Sequence, residues 1–167
     1  MRYFDHLRTT PWQPEFEWFG SAEEAADIIN CPHEDYPTRV ERTVDAINLV
    51  QSHPQRGMQE GWVSREMLWR VHRIIFSDKA FAGQHRTVNV RVGLHYPPPP
   101  SLLHPLMQQL EKSVNGKLTT IQALRDWYTD FETIHPFQDG NGRVGGVIIA
   151  CYSHYIEPEN GWLAPLQ

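Results

Sequence analysis

Cysteine is scarce in this chain: Cys31 and Cys151 are the only two in 167 residues, and they lie far apart. No disulfide framework is indicated, and a reducing compartment is the default expectation. No apolar run is long enough to span a bilayer. The opening Met1-Arg2-Tyr3-Phe4-Asp5-His6 lacks the uninterrupted apolar core of a secretory signal. These absences predict a cytoplasmic protein without a membrane segment. Basic residues do not dominate either: 15 Lys and Arg face 20 Asp and Glu, a formal net charge of −5. That balance argues against binding a nucleic-acid backbone. It leaves open a small nucleotide held by a local cluster of donors. Internal repeats are missing, and Pro97 to Pro100 is the one low-complexity run. A Cys31/His33 metal site is rejected because no second pair follows at ligand spacing.

What is present is mostly helical periodicity, in a length suited to one hydrophobic core. Residues 1–20 are aromatic and proline-broken, and they read as an irregular arm packed on the domain, with a partner surface as the alternative. Ser21 with Glu24 three residues on forms a capping box and opens a helix to about Asn30. A helix follows from Thr38 to about Ser52 with Val40, Val44, Ile47 and Val50 inward, then a polar loop over residues 53–61. Ser64 caps the next helix, whose face carries Met67, Leu68, Val71, Ile74 and Ile75; His72 beside it reads as a packed residue. Leu103, Met107, Leu110 and Val114 mark a further helix begun at Ser101 and closed at Asn115-Gly116. Another runs from about Thr120 to Ile134 with Leu124, Trp127, Tyr128 and Phe131 inside. Residues 162–166 form an apolar tail docked on the core. The expected division is an arm with a short helix, 1–37, and a main domain, 38–167.

One β signal stands out in residues 86–93, Arg86-Thr87-Val88-Asn89-Val90-Arg91-Val92-Gly93. Val88, Val90 and Val92 alternate with polar neighbours, so one face packs, and Gly93 permits a tight reversal into residues 94–96. The prolines at 97–100 forbid further ladder pairing. Such a hairpin has spare backbone groups that can accept an extended partner segment.

Chemistry concentrates in His135-Pro136-Phe137-Gln138-Asp139-Gly140-Asn141-Gly142-Arg143, followed by Val144-Gly145-Gly146. Pro136 cannot continue the incoming helix and pushes His135 out of the α region. Gly140-Asn141-Gly142 frees backbone N–H groups to approach a ligand, and Val144, Val147, Ile148 and Cys151 then resume helical spacing. A bare loop that opens a helix and carries one arginine is a phosphate cradle in physical terms. His135 supplies a base near neutral pH, and Asp139 is a ligand for a hard cation. Phe137 anchors the loop in the core.

The stretch resembles the Fic (Fido) signature H-P-F-x-[D/E]-G-N-G-R-x-x-R at every specified position but the last, where Gly146 replaces an arginine. The resemblance implies a compact all-α domain with one β-hairpin, the flap, beside the active-site loop. It implies transfer of AMP from ATP to a Ser, Thr or Tyr hydroxyl of a target protein, with release of pyrophosphate. In that scheme His135 is the base and Asp139 holds Mg²⁺. Gly140, Asn141 and Gly142 line the phosphates, and Arg143 grips the β-phosphate. The flap, with Thr87, Val88, Asn89, Val90, Arg91, Val92 and Gly93, docks the target. Gly142 stands where a phosphorylating relative has lysine, which favours nucleotidyl transfer. The arginine missing at Gly146 would hold the γ-phosphate in typical members, a charge-assisted contact worth about 1.5–3 kcal/mol. Three consequences follow: Arg86 or Arg91 substitutes, the donor is another nucleotide or a diphosphate-linked molecule, or the domain binds nucleotide or peptide without transfer. The family's inhibitory helix pattern [S/T]-x-x-x-E-[G/N] has no match, in keeping with the absence of its arginine partner.

Overall fold

In the computed structural model, residues 3–10, 12–31, 33–53 and 57–166 are described. The parts of the expected arm and of the 53–61 loop that fall on residues 1–2, 11 and 54–56 lie outside them. Local chemistry starts most helices. Ser21 Oγ accepts the Glu24 N–H at 3.1 Å to open α1 (Ala22–Asn30), while Glu24 reaches back to the Gly20 N–H. Pro37 sits in the first turn of α2 (Tyr36–Gln51), where its missing N–H costs nothing. Ser64 caps α3 (Arg65–Ile75) through the Met67 N–H. A 3₁₀ turn, Pro100–Leu102, leads into α4 (Leu103–Val114), and Thr120 caps α5 (Ile121–Ile134).

The last helix, α6 (Asn141–Ile156), is the axis of the fold. Val147, Ile148, Ile149 and Ala150 are all fully buried, so every side of the helix meets protein, as an all-round apolar helix requires. α1, α2, α3 and α5 pack around it. α1 therefore belongs to the same core as the rest, with Ala25, Ala26 and Ile29 sealed against it.

The helical class with one small antiparallel pair holds, but that pair is not where the valine alternation places it. β1 (Phe16–Phe19) pairs with β2 (Trp162–Pro165) in the register Phe16 to Pro165 and Trp18 to Leu163. The expected irregular arm thus contributes a strand, and the apolar tail is its partner. Residues 86–96 form no ladder, and one isolated bridge joins Val92 and His95 through two 2.9 Å bonds. The expected packed face is missing too: Val88 is 50% and Val92 40% exposed. Alternation without a neighbouring strand or a core surface leaves the segment as a turn.

Candidate functional site

The junction between α5 and α6 is held by contacts from four separate elements. His135 ends α5 in the left-handed region (φ 54, ψ 62), the one non-glycine residue with positive φ among the described residues. The following proline disfavours the right-handed helix there, and the His135 N–H still donates to Phe131 O at 2.9 Å. Asn141 closes the loop onto itself: its Oδ1 accepts the Phe137 N–H at 2.9 Å and its Nδ2 donates to Phe137 O at 2.8 Å. The Asn141 side chain is therefore spent on the loop, and only its backbone N–H remains for a ligand. Gly140 caps α6 at φ 87, and a Cβ there would overlap the Phe76 ring. Glycine is demanded twice, by conformation and by close approach.

Phe137 is buried and stacks on His72, with ring centroids 4.0 Å apart and planes 11° from parallel. His72 also stacks on Phe76. Its Nδ1 accepts the Gly83 N–H at 2.8 Å, so Nε2 carries the proton and donates to Asp139 O at 2.9 Å. Burial lowers the pKa of His72 to about 4 and keeps it neutral in this role. Arg86 is the fourth element. Its backbone N–H donates to Pro136 O, and its guanidinium donates to the carbonyls of His135, Ile134, Val88 and Pro98. It is 3% exposed. With its donors committed, Arg86 does not serve as the spare cation expected from the sequence. Arg91 is exposed and bonds Gly93 O through Nε.

Charge is clustered beneath the α6 N-terminus. Arg143 is 2% exposed and lies over the Phe76 ring at 4.8 Å. Its Nη1 donates to Asp35 at 2.8 Å and its Nη2 to Asp139 at 3.2 Å, while Nε has no hydrogen-bond partner among the described residues. Asp35 also takes Arg39 Nε at 2.7 Å. Burial pushes the Asp35 carboxyl up, but the two arginines outweigh it and the net direction is down. Asp139 is the open member, its side chain 56% exposed. Gly142 is half-buried in the first turn of α6, whose N–H groups have no acceptor within the helix.

His135 has its own partner. Its Nδ1 lies 3.8 Å from Glu132 Oε2, one turn back on α5. Burial, and then the Arg86 charge, lower the pKa of His135 to about 4, and burial raises Glu132 to about 8. A cavity of about 640 Å³ opens on Glu132 and is walled by Trp12, Leu94 and His95. The turn beside it is fastened to the arm and to α5: Thr9 Oγ1 accepts the Tyr96 N–H at 2.9 Å, and His95 Nε2 donates to Thr133 O at 2.9 Å. Of the expected flap, Val88, Val92 and Gly93 are exposed along with Thr87, Asn89 and Arg91, and Val90 is half-buried.

The sequence singled out His135, Phe137, Asp139, Gly140, Asn141, Gly142 and Arg143, and the fold brings them into one junction. It missed Asp35 and Glu132, and it named Arg86 and His72 without their roles in holding the loop. Glu132 had a signal, since positions three apart share a helix face. Asp35 had none, because its approach to Arg143 depends on how α2 packs on α6. Gly146 is buried in α6, and a Cβ there would come within 2.9 Å of Ile29 Cγ1 of α1.

A sequence model of the Fic/DOC family matches residues 62–153, more than half of the chain. The fold is similar to that of a Fic family protein from Desulfovibrio desulfuricans G20 (TM-score 0.58, 22% identity), over 82% of this chain and 43% of that one. It is also similar to a Fic domain containing signaling protein from Bacteroides thetaiotaomicron VPI-5482 (0.57, 16%, 81% and 62%). A third is Fic-1, residues 134–508 with E274G, from C. elegans (0.56, 20%, 75% and 38%). The chain spans less than two thirds of each of these proteins. The junction that gathers His135, Asp139 and Arg143 lies inside the matched segment, and the chain belongs to the Fic/DOC family.

Proposed function

We propose that this domain is a protein nucleotidyltransferase that moves AMP from ATP to a Ser, Thr or Tyr hydroxyl of a target protein. The observation that carries the reading is the immobilised junction, with a neutral histidine at one end and an unsatisfied helix N-terminus at the other. A hydroxyl is a weak nucleophile at its own pKa and needs a base in contact. His135 takes the hydroxyl proton as the oxygen attacks the α-phosphorus, the bond to the β-phosphate oxygen breaks, and pyrophosphate leaves. The N–H groups of Gly140, Asn141 and Gly142 stabilise the charge that develops on the phosphate oxygens. Arg143 keeps its Asp35 bond and exchanges the exposed Asp139 for a phosphate oxygen, a pairing suited to its planar fork.

Mg²⁺ fits the donor set in a limited way. The described residues contain no group of three acidic, histidine or cysteine side chains able to cage a metal. One exposed carboxylate, Asp139, suits an ion that binds mainly through substrate phosphates. Bound there, Mg²⁺ would neutralise phosphate charge and orient the leaving group. Target docking falls to the exposed segment 87–94, which offers backbone and apolar side chains to an extended partner.

A second reading, a donor other than ATP, draws on Gly146. Ile29 fills the space where the signature has an arginine, and Arg86 is committed elsewhere, so neither residue supplies a third-phosphate clamp. Incubation with labelled ATP, CTP, GTP and UTP, beside a His135→Asn control that tolerates the left-handed backbone, separates the readings. Label from ATP, lost in the control, supports the first; label from another donor alone supports the second; binding without transfer sinks both.

A further inference from the structure

The structure leaves two buried, unpartnered polar atoms on neighbouring side chains behind the proposed reaction centre. Among the described residues neither His135 Nδ1 nor Glu132 Oε1 has a hydrogen-bond partner. The side chains are 15% and 12% exposed, and Nδ1 and Oε2 are 3.8 Å apart. A buried polar group without a partner costs on the order of 1–3 kcal/mol, so two such groups in one place point to a shared purpose. The backbone around the ring is fixed. Pro136 and the left-handed conformation set its direction, Arg86 Nε holds the His135 carbonyl at 2.7 Å, and the N–H is tied to Phe131. What remains adjustable is the Glu132 side chain, and a small rotation closes the gap, as contacts of this kind tighten when substrate binds.

We propose that Glu132 is the positioning residue of His135: a carboxyl oxygen accepts the Nδ1–H, fixes that tautomer and leaves the Nε2 lone pair to take the target hydroxyl proton. The inference rests on the nucleotidyltransferase reading for its catalytic consequence, but the tautomer itself does not depend on it. The other charged groups facing the ring act on its net protonation and not on which nitrogen carries the single proton. Arg86 is a buried cation that opposes a second proton on the ring, His95 acts in the same direction, and Asp139 weakly favours protonation. The Glu132 backbone carbonyl also faces the ring and is the competing acceptor. Once the hydroxyl proton has moved to Nε2, the Nδ1–H of the imidazolium stays held by the Glu132 carboxyl oxygen, so the ring keeps its direction through the step. A carboxyl orienting an imidazole through the nitrogen remote from the chemistry is the logic of a hydrolytic triad, reached here through one helical turn.

Imidazole ¹⁵N spectra of the whole chain test the tautomer directly. The native protein is expected to show His135 protonated at Nδ1. Glu132→Leu, which fills the volume with an apolar side chain, switches the proton to Nε2. It also lowers kcat on the order of 10²-fold, with the nucleotide KM unchanged. Glu132→Gln retains an acceptor oxygen and keeps the native tautomer. Glu132→Ala joins its vacated space to the 640 Å³ cavity, and added formate restores Nδ1 protonation and part of kcat. An unchanged Nδ1–H in Glu132→Leu overturns the proposal and assigns the ring to the backbone carbonyl, whatever the activity does. If the chain transfers no nucleotide, the spectra still decide the tautomer, so the two failures are distinct.

Discussion

The loop 135–143 and the segment 86–96 lie side by side and are built in opposite ways. In the loop, almost every group is held: Asn141 clasps Phe137, His72 pins Asp139, and Gly140 lies against Phe76. In the segment beyond the buried Arg86, that residue's bond to Val88 O, one bridge and the stitches from Thr9 and Thr133 hold a turn whose Val88, Val92 and Leu94 face outward. The contrast fits the two tasks that the proposed function would divide between them. Stabilising charge at a reacting phosphate rewards donors that are already in place. Accepting different polypeptide segments rewards unpaired backbone and exposed apolar side chains.

Substitutions in the two regions should therefore separate cleanly. His135→Asn is expected to lower transfer about 10²- to 10⁴-fold with the thermal midpoint unchanged, as the loss of a general base predicts. A full-activity variant would remove His135 from the chemistry. His72→Ala opens a gap under Phe137 and strands the Gly83 N–H and the Asp139 carbonyl. It should cost about 3 kcal/mol in urea titration, and a loss below about 1 kcal/mol would show that the loop is not held from below. Gly146→Arg should cost about 2–3 kcal/mol by forcing Ile29 aside. It should not raise ATP use, because the new side chain emerges into α1; improved ATP use without destabilisation would show that α1 yields readily.

Acid sharpens the same contrast. The folded pKa of His72, about 4, lies below its ordinary 6.5, so the unfolded chain binds more protons between those values. Stability contributed by a neutral His72 is complete above pH 6.5 and falls by about 3 kcal/mol on descent to pH 4. His72→Phe should flatten that slope in denaturant titrations run across the interval. Leu94→Ser, in the exposed turn, should change stability by less than about 0.5 kcal/mol and register only as a weaker KM for the target. A large loss of stability there would mean that the turn is part of the core after all.

The helices were legible because their ends carry their own chemistry. Ser21, Ser64 and Thr120 each accept an N–H three residues on, within reach of a local reading. The α5–α6 loop was legible for the same reason, since proline, glycine and asparagine act on their neighbours. The sheet was not. Phe16-Glu17-Trp18-Phe19 alternates poorly, and its partner lies at the other end of the chain, so nothing local marks it. Val88 to Val92 alternates well yet forms no ladder beyond the single Val92–His95 bridge, because a strand pattern states a preference that only a neighbour can satisfy. The burial of Arg39, Arg86 and Arg143 was hidden differently. Charged residues read as exposed, yet these three are 2–3% exposed, each bonded to at least one oxygen that packing brings from elsewhere.

Arg86 carries a mechanical implication. One guanidinium grips carbonyls on both sides of a gap: Val88 and Pro98 at the root of the exposed segment, and Ile134 and His135 at the end of α5. A planar fork does not stretch, so a pull on one side is delivered to the other without passing through the core. A displacement of residues 87–94 is thereby coupled to the carbonyl of His135 through a single side chain.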